Sequence, residues 1–448
     1  MCTSVIWVDF TAATALTAIG AEAFQGMTSL HRVDMSGATQ LANLGANAFN
    51  GCIALTTAKL ASSITVIGAE TFTSTLLSTA AAVNFNTVDC VAATSGGAVV
   101  FIFVCPLQLK WTEGAGGGTV WSAQWGHAAV CYDDGVVVTT GGFGKIGMGG
   151  GSEVHTTAAG GTALALVTQS TFIGRAGHAI SRVLGNADAF LVVGGVGMDG
   201  YSYLNDALLS PDRGATYIVK SNAVFTSGRW FTALVATGPA TFVAFAGNSG
   251  AVKFNEVRQS TDLGATWTTL RAEGGGGGEC SGDAAMWAVR NSVAYAFMPL
   301  RNRIILAGGK GLGYYQDVWG SDDGGTCWIQ LTADSDGTAT MDYNSFWAAS
   351  LVVATLGDIE ILVLAAGEWF GGDGRLSSVY RSIDAGVSWD VIPSSGSMWP
   401  ARSYSALVYN LANTCLTIMG GNIAGGSVVN DFWTADATYL FPKVRHFA

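Results

Sequence analysis

The chain repeats itself with two different periods, and this repetition constrains its fold more than any other feature. Near the N-terminus, a pattern of Leu, Ile and Phe recurs at short and nearly equal intervals. From residue 110 to residue 448, a second pattern recurs at intervals about twice as long. Segments that repeat in sequence fold into similar units, which stack on one another or close into a ring. We therefore predict two repeat modules joined in one chain.

The short period combines aliphatic residues at fixed offsets with a conspicuous Phe. The segments Leu16–Phe24, Leu41–Phe49 and Ile64–Phe72 share this pattern, and each ends at its Phe. A period of roughly 20–29 residues with Leu or Ile at fixed positions is typical of leucine-rich coils. The alternative is an amphipathic helical segment, but the phase holds over three copies, which favours the coils.

The form Ile-Gly-x-x-Ala-Phe-x-x-Cys/Met-x-x-Leu resembles the BspA-type leucine-rich repeat of surface antigens. Cys52 occupies the Cys position of this repeat, whereas Met27 and Ser74 replace it in other copies. The resemblance covers residues 1–88, and we assign residues 1–90 to this module.

Four octapeptides of the form Ser-x-Asp-x-Gly-x-x-Trp/Tyr follow in the longer repeat. Ser and Asp side chains hydrogen-bond nearby backbone N–H groups in turns, Gly supplies a positive φ, and the aromatic ring fills the core. The pattern resembles the Asp-box, the bacterial neuraminidase repeat, which implies a structural role for these residues. They are Ser210, Asp212, Gly214, Tyr217, Ser260, Asp262, Gly264, Trp267, Ser321, Asp323, Gly325, Trp328, Ser382, Asp384, Gly386 and Trp389.

Six β-rich runs end in a pair of small residues, of which the second is always Gly. These Gly residues are Gly142, Gly195, Gly247, Gly309, Gly367 and Gly421. The runs resemble kelch repeats, which implies a mainly β fold with six four-stranded blades in a β-propeller. We assign residues 110–448 to this propeller and residues 91–109 to a connector. Leu107–Trp111, which begins at the end of the connector, is predicted to close the ring as the fourth strand of the last blade.

In such a blade, the b–c loops lie on one face and the c–d turns, which hold the octapeptides, lie on the other. The b–c loops are rich in Gly and aromatic residues. Exposed Tyr and Trp on rigid loops suit carbohydrate stacking or protein contact, although the rings would alternatively pack over the tops of the blades. The candidate binding residues are Tyr201, Tyr203, Tyr314, Tyr315, Glu368, Trp369 and Arg375.

Two enzyme classes use similar propellers. A sialidase-like site needs three Arg that grip a carboxylate, a Tyr–Glu nucleophile pair and an acid Asp. Four Arg residues at blade starts could converge in this way, or they could cap backbone carbonyls: Arg175, Arg229, Arg290 and Arg402. The Arg-Ile-Pro signature of sialidases is absent. A kelch-type copper oxidase needs two His, two Tyr and a Cys around the metal. Only His127 and His178 occupy equivalent positions, and residues that recur at equivalent repeat positions are more often structural. We therefore predict no catalytic residue, no metal and no cofactor.

The composition limits the possible binding partners and the possible cellular compartments. Lys plus Arg number 21 and Asp plus Glu 32, so the net charge is −11, which argues against nucleic acid. No apolar run reaches the length of about 20 residues that a membrane span needs. The N-terminus has no signal peptide pattern, the eight Cys form no C-x-x-C pair, and no N-glycosylation sequon occurs.

Together these features predict a non-enzymatic structural or adhesive repeat protein. We expect a recognition scaffold in a surface, fibrous or virion assembly, whose partners are proteins, copies of itself or glycans. One alternative is a sialidase-like glycoside hydrolase or a glycan-binding propeller. A second is an intracellular kelch adaptor, because neither a signal peptide nor a sequon points to secretion. The expected localisation is extracellular, at the cell surface or in a virion.

Overall fold

The computed structural model describes residues 5–446 except for 56, 62, 65, 69, 73, 76–82, 86–90, 96–97, 104–108, 115–121, 145–150, 159–163, 168–169, 198, 275–286, 334–346, 369–373, 396–397 and 442. Two compact units are present: Met1–Gln108 with Tyr439–Ala448, and Leu109–Thr438. Both are built from β-strands. Among the described residues, the helices are two short 3-10 helices, Ala424–Gly426 and Ala437–Leu440.

Two parallel ladders run through the N-terminal unit, with one strand from each repeat. The first ladder contains Trp7–Asp9, Arg32–Asp34, Thr57–Leu60 and Val83–Phe85, and the second contains Ala18–Ile19, Asn43–Leu44 and Val66–Ile67. Trp7 pairs with Arg32, and Arg32 pairs with Thr57. Each of these steps equals the spacing between Phe24 and Phe49 in the sequence, so each repeat forms one coil, as the pattern predicts.

Equivalent side chains stack along the inside of these coils. The rings of Phe24, Phe49 and Phe72 are nearly parallel, with centroids 5.1 and 5.4 Å apart. Buried Leu and Ile residues from each coil complete this core. Each coil therefore buries its apolar face against the next coil, which is why a single repeat could not fold alone.

A third sheet in this unit is antiparallel. It contains Val91–Ser95, Ala98–Phe103 and Lys443–His446. The connector predicted for residues 91–109 thus carries a hairpin. The strand Lys443–His446 pairs with this hairpin, whereas the sequence places the end of the propeller at residue 448. Pairing there gives the hairpin's outer backbone groups hydrogen-bond partners.

Six antiparallel blades with four main strands each form most of the second unit, which confirms the predicted six-bladed propeller. We number them blades 1–6 and letter their strands a–d. The strands are Ala128–Cys131, Val137–Thr140, Val154–Thr157 and Leu164–Leu166 in blade 1; Ala179–Arg182, Phe190–Val193, Ala207–Ser210 and Ile218–Ser221 in blade 2; Ala233–Ala236, Phe242–Phe245, Val257–Ser260 and Thr268–Arg271 in blade 3; Ala294–Met298, Arg303–Lys310, Tyr314–Ser321 and Ile329–Thr332 in blade 4; Ser350–Leu356, Ile359–Ala365, Val379–Ser382 and Asp390–Ile392 in blade 5; and Ala406–Asn410, Cys415–Ile423, Ser427–Asp436 and Leu109–Glu113 in blade 6.

Short strands flank the blades, and the last blade contains a strand from the start of the unit. The short strands are Gln124–Trp125, Phe143–Gly144, Arg175–Ala176, Val196–Gly197, Asn248–Ser249, Val252–Lys253, Ser394–Ser395 and Arg402–Ser403. Leu109–Glu113 pairs antiparallel with Ser427–Asp436, and Trp111 lies opposite Ala435. The buried Trp111 ring packs edge-on against Trp399 at 5.9 Å. Blade 6 is therefore built from segments far apart in sequence.

The octapeptide turns have the hydrogen bonds that their residue types predict. In blade 3, Ser260 Oγ accepts a bond from Gly264 N–H at 2.9 Å and donates to Asp262 at 2.8 Å. The N–H and hydroxyl of Thr266 both donate to Asp262, and these bonds lower the pKa of that carboxyl to about 2. Trp267 Nε1 donates to the Gly264 carbonyl at 3.0 Å. The bond from the Gly N–H to the Ser Oγ recurs in all four turns.

Each octapeptide turn also packs against the preceding blade. Gly214 has a φ of 91°, and a Cβ there would lie 2.6 Å from the Val154 side chain of blade 1. Trp328 of blade 4 is buried in a cluster with Val243 and Val257 of blade 3. The turn Gly is therefore required by both its φ and its close approach, and the aromatic ring joins two blades.

Candidate functional site

A buried arginine lies at the start of four of the six blades. Each forms an ion pair with an acid of its own blade, at or beside strand c: Arg175 with Asp206, Arg229 with Glu256, Arg290 with Asp317 and Arg402 with Asp431. Arg290 Nη2 donates to Asp317 at 2.9 Å. Its Nε and Nη1 donate to the carbonyls of Ala288 and Gly308 at 3.0 and 2.9 Å. The guanidinium therefore ties the incoming chain, the end of strand b and strand c together.

The other three arginines repeat these bonds. Each donates to the carbonyl two residues before it and to a carbonyl of the small-residue pair that ends strand b. Burial lowers the pKa of Arg229 to about 10, while the nearby Glu256 carboxylate opposes that shift. In blade 1, Gln124 takes the arginine position and donates to Glu153 at 3.2 Å. All four guanidinium groups thus have their partners within their own blades.

Six backbone hydrogen bonds form a closed ring, with one residue from each blade. Each ring residue lies two positions after the blade-start Arg or its equivalent, and all six have φ between 50° and 65°. This left-handed conformation lets each N–H donate to the ring residue of an adjacent blade. The N–H of Gly177 donates to Gly126, Phe231 to Gly177, Ser292 to Phe231, Ala348 to Ser292, Tyr404 to Ala348 and Gly126 to Tyr404, at 2.6–3.3 Å.

The side chains of this ring fit one another. A Cβ on Gly177 would lie 3.1 Å from the Phe231 ring, so the Phe covers a position that has no side chain. The Tyr404 ring lies between three others, with centroids 5.0 Å from Phe231, 5.1 Å from Trp125 and 5.5 Å from Trp347. Two large aromatic residues and four small residues thus fill the space at the centre of the propeller.

A cavity of about 480 Å³ extends from this ring between the six a strands. Its lining begins at the ring residues and reaches the a–b turns at Leu184 and Pro299. Near the ring, burial lowers the pKa of His127 to about 4, and His155 and Arg402 lower it further. Burial also lowers the pKa of His178, whose Nε2 lies 2.7 Å from Thr140 Oγ1. The cavity is therefore a channel that ends at the hydrogen-bonded ring.

A second layer of residues surrounds the ring on the b–c face, and we call it the axial floor. It consists of the residue after each blade-start position and the residue after each strand-b pair, joined by backbone pairing. The pairs are Trp125 with Phe143, Ala176 with Val196, Trp230 with Asn248, Asn291 with Lys310, Trp347 with Glu368, and Ser403 with Asn422.

The axial floor is apolar over blades 1–3. The Trp125 and Phe143 rings lie 4.8 Å apart, and Phe143 meets Trp230 edge-on at 6.2 Å. Ala176 and Val196 are buried with Phe143 in one cluster. Trp125 and Trp230 keep part of their surface exposed. This half therefore offers a partly exposed aromatic surface.

The axial floor is polar over blades 4–6. The Lys310 ammonium lies over the Trp347 ring at 4.7 Å, and Ser403 donates to Glu368 at 3.2 Å. At the boundary with the apolar half, Asn291 Nδ2 donates to Asn248 Oδ1 at 2.6 Å. Aromatic stacking and polar hydrogen bonding are thus offered side by side at one end of the axis.

The b–c residues predicted as binding candidates occupy different environments. Tyr203 contacts Trp230 at 6.3 Å and Tyr314 contacts Trp347 at 5.9 Å, so both border the axial floor. Glu368 belongs to the floor, and Arg375 pairs with it through the backbone. The remaining three lie apart from the floor: Tyr201 is 71% exposed at a loop tip, Tyr315 lies under the Arg290 guanidinium at 4.0 Å, and Trp369 lies outside the described residues.

Several central residues were not among the predicted candidates, notably Trp125, Trp230 and Trp347 of the floor and Tyr404 of the ring. A signal for them is nevertheless present in the sequence. Trp125 and Trp230 directly follow Gln124 and Arg229 at blade starts. An aromatic residue at that place suggests the first core residue of strand a, and its position on the b–c face follows only from its backbone pairing with the residue after strand b.

Comparison with known proteins concerns the N-terminal unit. Residues 2–89 match the family model described as BspA type Leucine rich repeat region, in six copies. This match accounts for the coils and the stacked Phe residues. No curated protein matches the chain. Among the described residues, no helix has the length and apolarity to cross a membrane, and no cluster of His, Cys, Asp and Glu could hold a metal ion.

Proposed function

We propose that this protein is a non-enzymatic recognition scaffold that makes adhesive contacts through the b–c face of its propeller. The observation that carries the proposal is the axial floor, where an aromatic half and a polar half meet. A partly exposed aromatic surface beside oriented polar groups is what a binding site needs for area and orientation. Tyr203 and Tyr314 extend this surface along two loops.

We further propose that the propeller is of the kelch and Asp-box type. The strand-b Gly pairs have positive φ, as Gly141 and Gly142 do, and the octapeptide Ser and Asp side chains build their turns. The four blade-start arginines have acid partners in their own blades, which favours a structural role for them over a sialidase-like grip on a substrate carboxylate.

The compartment that we propose is extracellular, at a cell surface or in a virion. Cys327 is disulfide-bonded, and disulfides persist in oxidising environments. A surface location also suits the leucine-rich coils, which resemble those of surface antigens. The intracellular adaptor is the competing assignment, and a reduced Cys327 in the natively purified protein would favour it.

The test is surface plasmon resonance of the purified full chain on immobilised asialofetuin, a glycoprotein that offers both protein and glycan. We expect Tyr201→Ala/Tyr203→Ala/Tyr314→Ala to lose retention by about tenfold or more, because aromatic contacts dominate binding energy. The matched control removes exposed aliphatic side chains from the outer strands, as Ile218→Ala/Ile329→Ala. Equal retention of both variants, no retention of the wild type, or release of free sugar would contradict the proposal.

A further inference from the structure

We propose that the axial floor binds a neutral hexopyranose of an oligosaccharide; this rests on the proposed recognition role of the b–c face. The floor changes from apolar to polar across the axis, between blades 1–3 and blades 4–6. A pyranose ring has the matching character, with a C–H face that stacks on aromatic rings and a rim of hydroxyls that both donate and accept hydrogen bonds.

The apolar half supplies the stacking surface. Trp125 and Trp230 are the partly exposed rings, and Phe143 holds them apart and in place through contacts at 4.8 and 6.2 Å. Tyr404 and Phe231 support the rings from the centre. Because the hydrogen-bonded ring fixes the backbone beneath them, little conformational freedom is lost on binding, which favours affinity.

Among the described residues, both halves of the floor have hydrogen-bonding atoms without protein partners. Within the described part of the chain, Asn291 Oδ1, Asn422 Oδ1 and Trp230 Nε1 are buried and make no hydrogen bond. Asn291 is only 9% exposed, so its free acceptor is costly unless water or a ligand supplies a donor. These two acceptors and one donor belong to floor residues, and a sugar hydroxyl that enters between them would supply the missing hydrogen-bond partners.

Charge favours a neutral sugar over an acidic one. The blade-start guanidinium groups, which would hold a carboxylate, are already paired with acids. On the floor itself, Lys310 and Glu368 contribute one charge of each sign, and the Lys310 ammonium lies over two aromatic rings. The net charge of −11 adds a general repulsion of anionic ligands.

The test is titration of the full chain with cellohexaose, maltohexaose and mannohexaose, and with sialyllactose as the acidic comparison, followed by Trp fluorescence and ligand-observed NMR. We expect at least one neutral hexasaccharide to bind with a Kd below about 1 mM, and sialyllactose to bind at least about tenfold more weakly. Binding of none of the three, or tighter binding of sialyllactose, would overturn the proposal.

Asn422→Ala isolates the site because it removes one free acceptor from a half-buried side chain. We expect it to weaken the bound hexasaccharide by about fivefold or more with an unchanged Tm. The matched control is Asn413→Ala, an exposed amide in the a–b turn of the same blade, which should leave the Kd unchanged. Equal Kd values for the two variants would place the sugar elsewhere and overturn the proposal.

A second outcome separates this inference from the proposed function. If asialofetuin stripped of its glycans is retained as strongly as the intact glycoprotein, recognition through the b–c face is supported and the proposal that the floor binds a sugar is wrong. If the Tyr201→Ala/Tyr203→Ala/Tyr314→Ala variant is retained as strongly as the wild type, recognition through the b–c face is wrong.

Discussion

Neutralising Asp317 should destabilise the propeller strongly, because it would leave a buried guanidinium without its counter-charge. In the ion pair with Arg290, the side chains are only 1% and 5% exposed. Asp317→Asn has nearly the same volume, and its amide oxygen still accepts from Trp319 Nε1, which donates to Asp317 at 2.7 Å. The substitution therefore removes charge without opening a cavity, and breaking a buried pair in this way costs about 3–5 kcal/mol.

The matched control is Asp322→Asn, which breaks an equally close but exposed pair. Arg303 Nε lies 2.6 Å from Asp322, whose side chain is 51% exposed. Water and salt screen such a pair, so its loss should cost about 0–1 kcal/mol. The double variant Arg290→Met/Asp317→Asn should recover part of the loss, because it leaves no buried charge.

Urea unfolding followed by Trp fluorescence measures these differences. Of the 14 Trp residues, all but Trp7 lie at or after residue 111, so the signal reports the propeller. The expected order of unfolding free energy is wild type, then Asp322→Asn slightly below it, then Asp317→Asn well below both. If Asp317→Asn and Asp322→Asn are equally stable, the blade-start arginines do not hold the blades together through their acid partners.

Three further predictions concern the ring, the channel and the coils. Folding lowers the pKa of His127 from 6.5 to about 4, because the buried imidazole stays neutral. The contribution of His127 to the free energy of unfolding is therefore fully present above pH 6.5 and is lost as the pH falls towards 4. This loss amounts to about 3 kcal/mol in the wild type and should be absent in His127→Gln. Identical pH profiles of urea unfolding for the wild type and this variant would contradict the prediction. Gly177→Ala places a Cβ 3.1 Å from the Phe231 ring at a φ of 60°, whereas Gly185→Ala has a φ of 76° and open space. The first should cost about 1 kcal/mol more than the second in the same assay, and equal costs would refute the fit of the ring. Phe49→Ala removes a buried ring that lies between two others and should cost the N-terminal unit about 3–5 kcal/mol. Hydrogen exchange should then rise in residues 5–75 with little change in the propeller strands; a uniform rise would argue against separate units.

The repeat architecture was predictable because it follows from local rules. The regular spacing of the coils, seen between Phe24 and Phe49, fixes the parallel register of Trp7 with Arg32. The Ser and Asp of each octapeptide bond groups within the same turn, so the turn around Ser260 and Asp262 follows from their spacing. The pairs of small residues that end in Gly mark the b strands, and six of them give six blades.

The centre of the propeller was not predictable in the same way. Phe231 and Tyr404 adopt positive φ although they are bulky, because the hydrogen-bonded ring holds them there. No local sequence rule predicts this conformation for an aromatic residue. The axial floor likewise depends on residues from six blades meeting around one axis, so the places of Trp125 and Trp230 after the blade starts do not by themselves indicate that they lie on this floor. The pairing of Arg290 with Asp317 joins distant parts of the blade and also needs the fold.

The most direct test of recognition through the b–c face is hydroxyl-radical footprinting of the full chain, free and bound to asialofetuin. Binding through this face predicts protection of Tyr201, Trp125 and Trp230, which keep exposed surface in the free protein. Ile218 on an outer strand and Trp7 in the N-terminal unit are exposed and should be modified equally in both states. Protection of these two residues with unchanged labelling of the axial floor would contradict recognition through the b–c face.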